Sequence, residues 1–273
     1  MSYRVVEAGE DHGQAILKLA REDPVLNALL LYDWLVLRRK RPAACDFYVA
    51  LEEPSGRVAA ACVAYHDRGF DSILLCGQPG ASKAILEALR PEKAVMPRVL
   101  PEELEGVLDA LGGRDVTVYD ALLMACGPEG FRPLVRHPVV RLRPEHAELL
   151  RRFYASALGS QMTLEEARER LEEQDKPIFA VLEGGRIVSM ALIYASLPEV
   201  SLVGGVFTVP GLRGRGLATS VASEATRAAL ERSAVASLIV REDNEPALRI
   251  YRRLGYRVHK RLKWLNVGVS VVP

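Results

Sequence analysis

Cysteine is scarce in this sequence: Cys45, Cys62, Cys76 and Cys126 are the only 4 in 273 residues, with no CxxC pair and no framework spacing. So few thiols exclude a disulfide-stapled scaffold and fit a reducing compartment, where a free cysteine serves as a small core hydrophobe. The chain also lacks the uninterrupted run of ~18 apolar residues that a membrane span needs. Its longest apolar stretch, Val25 to Val36, is broken by Asn27, Tyr32 and Asp33. The opening MSYRVVEAGEDHG holds no apolar core of a signal peptide. A cytoplasmic location without membrane partners is expected. No repeat of 20 to 50 residues is present, which excludes solenoids and propellers. The histidines, His12, His66, His137, His146 and His259, show no ligand spacing, so no metal is expected.

What is present is ordinary globular material, 49% hydrophobic and 26% charged, which excludes a disordered chain. Net charge is +1, but the signs are sorted along the chain. Residues 1–130 hold 14 Lys and Arg against 20 Asp and Glu; residues 131–273 hold 22 against 15. Two domains are expected, with an anionic ligand meeting the second. The stretch from Gly127 to Pro138, rich in proline and glycine, is the expected boundary. Each side of it reads as β-α-α-β-β-β-α-β, which predicts an α/β class with a mixed sheet flanked by helices. Expected elements include a helix opening at Asp23 in DPVLNALLLYDWL, a strand at Ser72–Cys76 and a strand over Val200–Val209. A helix from Leu217, a strand at Val235–Arg241, a helix at Glu245–Leu254 and an extended tail over Tyr256–Val272 complete the chain.

The most informative segment is VGGVFTVPGLRGRGLATSVASEATRAALERS. A β-branched strand runs into Arg213-Gly214-Arg215-Gly216-Leu217-Ala218 and then into a helix. Glycines at 214 and 216 free the backbone to bare its N–H groups, the helix adds its positive end, and two arginines add donors. That chemistry suits a phosphate. It is not a P-loop, because no GxxxxGK[ST] exists, nor a dinucleotide turn, because the third glycine and the later acid are missing. A second segment follows the next strand: Asn244-Glu245-Pro246-Ala247-Leu248-Arg249-Ile250-Tyr251-Arg252-Arg253-Leu254-Gly255-Tyr256. Asn244 is a good N-cap, Gly255 a natural C′ residue, and Ala247, Ile250, Tyr251 and Leu254 share one face.

RGRGLA resembles the R/Q-x-x-G-x-G/A signature of the GCN5-related N-acetyltransferases (GNAT superfamily). The second segment resembles their N-x-x-A-x-x-x-Y-x-x-x-G-[FY] motif, with Asn244, Ala247, Tyr251, Gly255 and Tyr256 in register. The likeness covers about residues 138–273. DPVLNALLLYDW looks like the first half of two-domain members. The resemblance implies tandem GNAT-like domains, each a mostly antiparallel twisted sheet flanked by helices. Residues 1–130 would be a degenerate domain without a CoA motif, and 131–273 the catalytic one.

It further implies transfer of an acetyl or other acyl group from acetyl-CoA, the co-substrate, to an amine by direct attack in a ternary complex. A small-molecule amine is the leading acceptor. A protein N-terminus or lysine, or a non-catalytic acyl-CoA-binding module, are the alternatives. By the same likeness, Arg213, Gly214, Arg215, Gly216, Leu217, Ala218 and Thr219 hold the diphosphate. The backbone of Val206, Phe207 and Thr208 would pair with pantetheine, which Asn244 also bonds, and Gly204-Gly205 would form a bulge. Tyr251 would protonate the departing thiolate. Relatives place a carboxylate base on the strand where this chain has Leu202 and Val203, leaving Glu199 as the nearest acid. No nucleic-acid partner is expected, and a homodimer is left open.

Overall fold

The structure, a computed structural model, describes residues 1–67, 69–159 and 161–270. Residues 271–272 of the expected tail lie outside them. The first part of the chain forms β1 (Tyr3–Glu7), α1 (Gly13–Ala20), α2 (Ala28–Tyr32), α3 (Arg38–Lys40), β2 (Cys45–Glu52), β3 (Val58–Asp67), β4 (Phe70–Gly77), α4 (Pro79–Leu89), β5 (Ala94–Val99), α5 (Leu104–Leu111) and β6 (Val116–Cys126). There follow β7 (Val140–Arg141), α6 (Ala147–Leu158), α7 (Leu164–Glu172), β8 (Ile178–Glu183), β9 (Arg186–Ser196), β10 (Ser201–Thr208), α8 (Leu217–Leu230), β11 (Ala236–Arg241), α9 (Glu245–Leu254) and β12 (Arg257–Val267).

These elements group into two compact units. The first takes Met1–Leu123, Val240–Asn244 and the described residues from Val258 onward; the second takes Met124–Ile239 and Glu245–Arg257. In the first, β1, β2, β3 and β4 pair antiparallel in sequence, and β5 joins β4 in parallel through Asp71↔Ala94 and Ser72↔Val95. A parallel join needs a crossover, and α4 supplies it. In the second, β7, β8, β9 and β10 are antiparallel, and β11 joins β10 in parallel through Ser201↔Ala236 and Leu202↔Ser237 after the crossover α8. Each unit thus repeats one order: four antiparallel strands, a helix and a parallel fifth strand. The mixed α/β class and the doubled order read from the sequence are what the structure has.

The grouping differs from a cut at 130/131. Residues from Val258 onward belong to the first unit, because β12 runs antiparallel beside β5, with Leu265 opposite Met96 and Val267 opposite Ala94. All six residues of β5 are buried, so its second edge needs a partner, and β12 supplies one. The register slips by one residue between Lys263 and Leu265. The slip falls opposite Pro97, which has no N–H to give to a ladder. Leu265 and Val267 enter the same core as Ile85, Leu86, Met96 and Leu111. Leu265→Ala should therefore cost about 2–4 kcal/mol, read as a lowered denaturation midpoint in urea at unchanged slope.

The segment expected to open a helix at Asp23 does so later. The Asp23 carboxylate accepts the Leu26 N–H at 3.0 Å and closes a turn, and the α-helix begins at Ala28. A π-helical stretch, Asp33–Leu37, then links α2 to α3. Trp34 lies edge-on to Phe47 at 5.0 Å, with the Arg38 guanidinium 3.9 Å from its ring centre. Elsewhere the capping box at Thr163 is made as its spacing predicts, the Glu166 N–H donating to Thr163 Oγ1 at 3.2 Å. All four cysteines are free and buried, and burial pushes Cys45 and Cys62 up to about 12, which keeps them as inert thiols.

Candidate active site

The loop between β10 and α8 is shaped by where proline and glycine stand. Pro210 begins a single 3-10 turn, Pro210–Leu212, which stops the strand. Gly214 and Gly216 then take φ of +80° and +84°, and Gly216 caps α8 in the left-handed region. Any other residue at 216 would be strained there. The first helical bond of α8 is Ser220 N–H to Gly216 O at 3.2 Å. Upstream of it, the amides of Gly214 through Thr219 have no backbone acceptor among the described residues. The loop therefore presents a row of donors at the positive end of a helix, an anion cradle. A Cβ at Gly214 would meet nothing within 4 Å, so the cradle is open.

The loop is braced by a segment the sequence showed only as a linker. Leu134 N–H donates to Ser223 Oγ at 2.9 Å and Arg136 N–H to Ser220 Oγ at 3.0 Å, tying 134–136 to α8. His137 Nε2–H donates to Arg215 O at 2.8 Å. The two arginines have partners within the protein. Arg215 holds Glu183 at 2.9 and 3.1 Å, and Arg213 donates its Nε–H to Thr208 O at 3.3 Å. The backbone, with half-buried Ala218 and Thr219 and buried Leu217 behind it, forms the cradle.

Beside the loop the sheet opens. Beyond Leu202↔Ser237 no further rung joins β10 to β11 among the described residues. The edge of β10 that carries Val206, Phe207 and Thr208 is thus available to an extended ligand. On its other edge β10 stays paired with β9, through Phe207↔Met190 and Thr208↔Ser189. The register slips between Gly204 and Phe207, leaving Gly205 and Val206 opposite Ala191, so the bulge expected at Gly204-Gly205 falls one residue later. Gly205 stands at φ +56°, and a Cβ there would lie 2.8 Å from Leu192 Cδ2. A Cβ at Gly204 would lie 2.5 Å from the Tyr194 ring. A side chain at either position would have to displace Leu192 or Tyr194, and the positive φ of Gly205 favours glycine there besides.

Tyr251 projects from the buried face of α9 with Leu248 and Leu254 and is 7% exposed. Its ring packs edge-on to Tyr256 at 5.9 Å. Thr226 Oγ1 donates to Ala222 O at 2.7 Å and so accepts the Tyr256 hydroxyl at 2.9 Å, which fixes that ring in turn. Burial, with the Tyr194 hydroxyl beside it, pushes the Tyr251 phenol well above its ordinary value. Tyr194 is the residue the sequence reading missed. It sits at a second register slip, between Leu202 and Val203, and lies against Gly204 and Gly205 while bearing on Tyr251. Only its position in the apolar run RIVSMALIYAS could have marked it, and that signal is weak.

Glu199 and Asn244 stand along the chain where the sequence reading put them. Glu199 lies in the turn between β9 and β10, half-buried, at the start of the strand. At ~3.3 Å per residue, the strand carries Gly205 roughly 17–20 Å away from it. Asn244 is exposed just before α9, in the stretch that groups with the first unit. Among the described residues, no three His, Cys, Asp or Glu side chains are arranged to hold a metal ion. No helix of the described residues is long and apolar enough to cross a membrane.

The sequence model of the acetyltransferase (GNAT) family matches residues 144–256. No curated protein matches the chain. Among solved structures, a Drosophila protein is similar over 98% of this chain and 100% of its own, with 13% identity and a TM-score of 0.72. A GCN5-related N-acetyltransferase from Sphaerobacter thermophilus is similar over 99% and 97%, with 17% identity and a TM-score of 0.66. A tandem GNAT protein from the clavulanic acid biosynthesis pathway is similar over 99% and 100%, with 15% identity and a TM-score of 0.64. With the anion cradle, the open strand edge and the bulge lying inside the matched residues, residues 144–256 form a domain of the acetyltransferase (GNAT) family, in a chain with the fold of tandem GNAT proteins.

Proposed function

We propose that the second unit transfers an acetyl group from acetyl-CoA to the amine of a small molecule. The observation that carries this is the parting of β10 from β11 directly beside the amide row of Gly214 to Thr219. A diphosphate is held by that row and by the end of α8. The free edge of β10 at Val206, Phe207 and Thr208 pairs with the amides of the pantetheine arm, as an added strand would. An N–H released by the bulge at Gly205-Val206 donates to the thioester oxygen, where charge grows during attack. Tyr251, kept protonated by burial, gives its proton to the sulfur as the N–C bond forms and the C–S bond breaks; the proton shed by the amine nitrogen passes to water, from which the phenol is restored. Holding donor and amine together supplies the remaining rate gain.

The first unit is not proposed to hold CoA. Only Gln78 separates β4 from α4, whereas Val209 to Gly216 separate β10 from α8. One residue cannot form an amide row. The test is thiol release from acetyl-CoA against a panel of small amines, amino-terminal peptides and lysine peptides. Turnover with small amines alone supports the proposal, peptide-only turnover transfers it to protein acceptors, and binding without turnover leaves a carrier. In the same assay Glu199→Gln should keep turnover within about twofold, because general-base loss would cost 10²–10⁴ and its distance from the bulge argues against that role. A drop of that size would restore Glu199 as the base.

A further inference from the structure

A cavity of about 140 Å³ lies in the first unit, lined by the second half of β4, the first turn of α4, β5, the turn Pro101–Glu103 and α5. It is near the size of an engineered protein cavity known to take up benzene. Its walls are largely apolar, with Ile73, Leu75, Met96, Val99 and Val107. Five polar or charged side chains interrupt them: Ser82, Lys83, Arg98, Glu102 and Glu103. Arg98 and Ser82 line the cavity and are 8% and 3% exposed.

Arg98 follows Pro97 at the register slip of β5, and bulges of this kind turn a side chain from its regular direction. Its guanidinium spans from β5 to β4. Nη1 donates to Asn27 Oδ1 at 2.7 Å and Nη2 donates to Leu75 O. The parallel pairing of β4 with β5 has ended by then, at Ser72↔Val95. Counted from the last shared rung, Leu75 corresponds to Gly205 on β10. The guanidinium thus occupies the strand opening that the second unit keeps clear. Its Nε–H and the Ser82 hydroxyl have no hydrogen-bond partner. Unpartnered buried polar groups are costly and rare. Gln78 provides no side-chain cap for α4, so the positive end of that helix, at Gly80, also meets the cavity.

The chemistry of these groups selects a ligand. Nε–H can only donate and the hydroxyl can donate, so the ligand must bring acceptors beside a cation and a helix N-terminus. The apolar walls select a hydrocarbon body over water, which needs two to four polar partners. Of the lining acids, Glu103 already accepts the Leu100 N–H at 3.0 Å and Glu102 is exposed at the mouth, while Lys83 is paired with Asp109. We propose that this cavity binds a small apolar carboxylic acid of about seven non-hydrogen atoms. Its carboxylate takes the Arg98 Nε–H and the Ser82 hydroxyl, and its tail lies among Ile73, Met96 and Val107. The site is independent of the acyl-transfer reading, because it uses no residue of the second unit.

The experiment titrates the full-length, ¹⁵N-labelled protein with sodium isovalerate to about 20 mM, and in parallel with isopentylamine. Saturable shifts of the Gly80 and Gly106 amides are expected with the acid, at a dissociation constant of about 1 mM, and none with the amine. Ser82→Ala should weaken binding about tenfold. Gly106→Leu should abolish it, since a Cβ there meets nothing within 4 Å and leucine suits the middle of α5. That variant decides the matter even where Ser82→Ala fails to fold. No saturable shift, an equal response to the amine, shifts confined to Gly214 and Gly216, or binding that survives Gly106→Leu would each overturn the proposal.

Discussion

Gly216→Glu is expected to lower the affinity for CoA by at least about 100-fold while the protein still folds. Three effects add. The side chain enters the mouth of the amide row and obstructs the diphosphate. Its carboxylate places negative charge where the end of α8 favours an anion, reversing a contribution of about 0.3–1 kcal/mol and adding direct repulsion. A non-glycine residue at φ +84° costs about 1–2 kcal/mol, and relaxing that strain would turn the Gly214 to Thr219 amides away from one another. The same strain limits the damage to stability to a few degrees of melting temperature. A Cβ at 216 lies no closer than 3.8 Å to Arg136 and 3.9 Å to His137, so no core packing is lost. Calorimetry on the folded variant reads the result, and unchanged CoA affinity would remove the diphosphate role from this loop.

Tyr251→Phe removes one oxygen from a packed side chain and should leave CoA affinity within about twofold. Turnover should fall by about 10²–10⁴, the usual cost of a positioned general acid. The ring contact to Tyr256 at 5.9 Å survives in phenylalanine, so a loss of this size cannot come from packing. The pH profile supplies a second readout. Burial raises the phenol's pKa above its ordinary value near 10. The protonated acid is therefore present throughout the neutral range and is lost only as pH climbs through that raised value. Wild-type turnover should show no falling limb below about pH 10. Equal turnover in the two proteins would demote Tyr251 to a packing residue whose leaving thiolate departs unassisted.

Much of the fold was legible in local pattern. α9 coincides with the expected span Glu245–Leu254, because a helix between Asn244 and Gly255 is decided within a few residues. The glycine spacing of the loop was legible for the same reason, since a positive φ at 214 and 216 is a local demand that the sequence must meet. Asp23 misled because an Asp before Pro reads as an N-cap, while here its carboxylate closes a turn and α2 starts at Ala28.

By itself the sequence determined the doubled β and α order, the anion cradle between β10 and α8, and the place of Tyr251 on the buried face of a helix. Each follows from periodicity, from capping or from the φ freedom of glycine. Only the tertiary structure decided the rest. It placed β12 beside β5, set Tyr194 against Gly204 and Gly205, paired Arg215 with Glu183, and ran Arg98 across the β4–β5 opening. Those outcomes depend on which strand edge is unsatisfied and which distant group comes within 3 Å. Free backbone edges carry no residue-specific signature, and a charged side chain finds its partner only once the chain has closed.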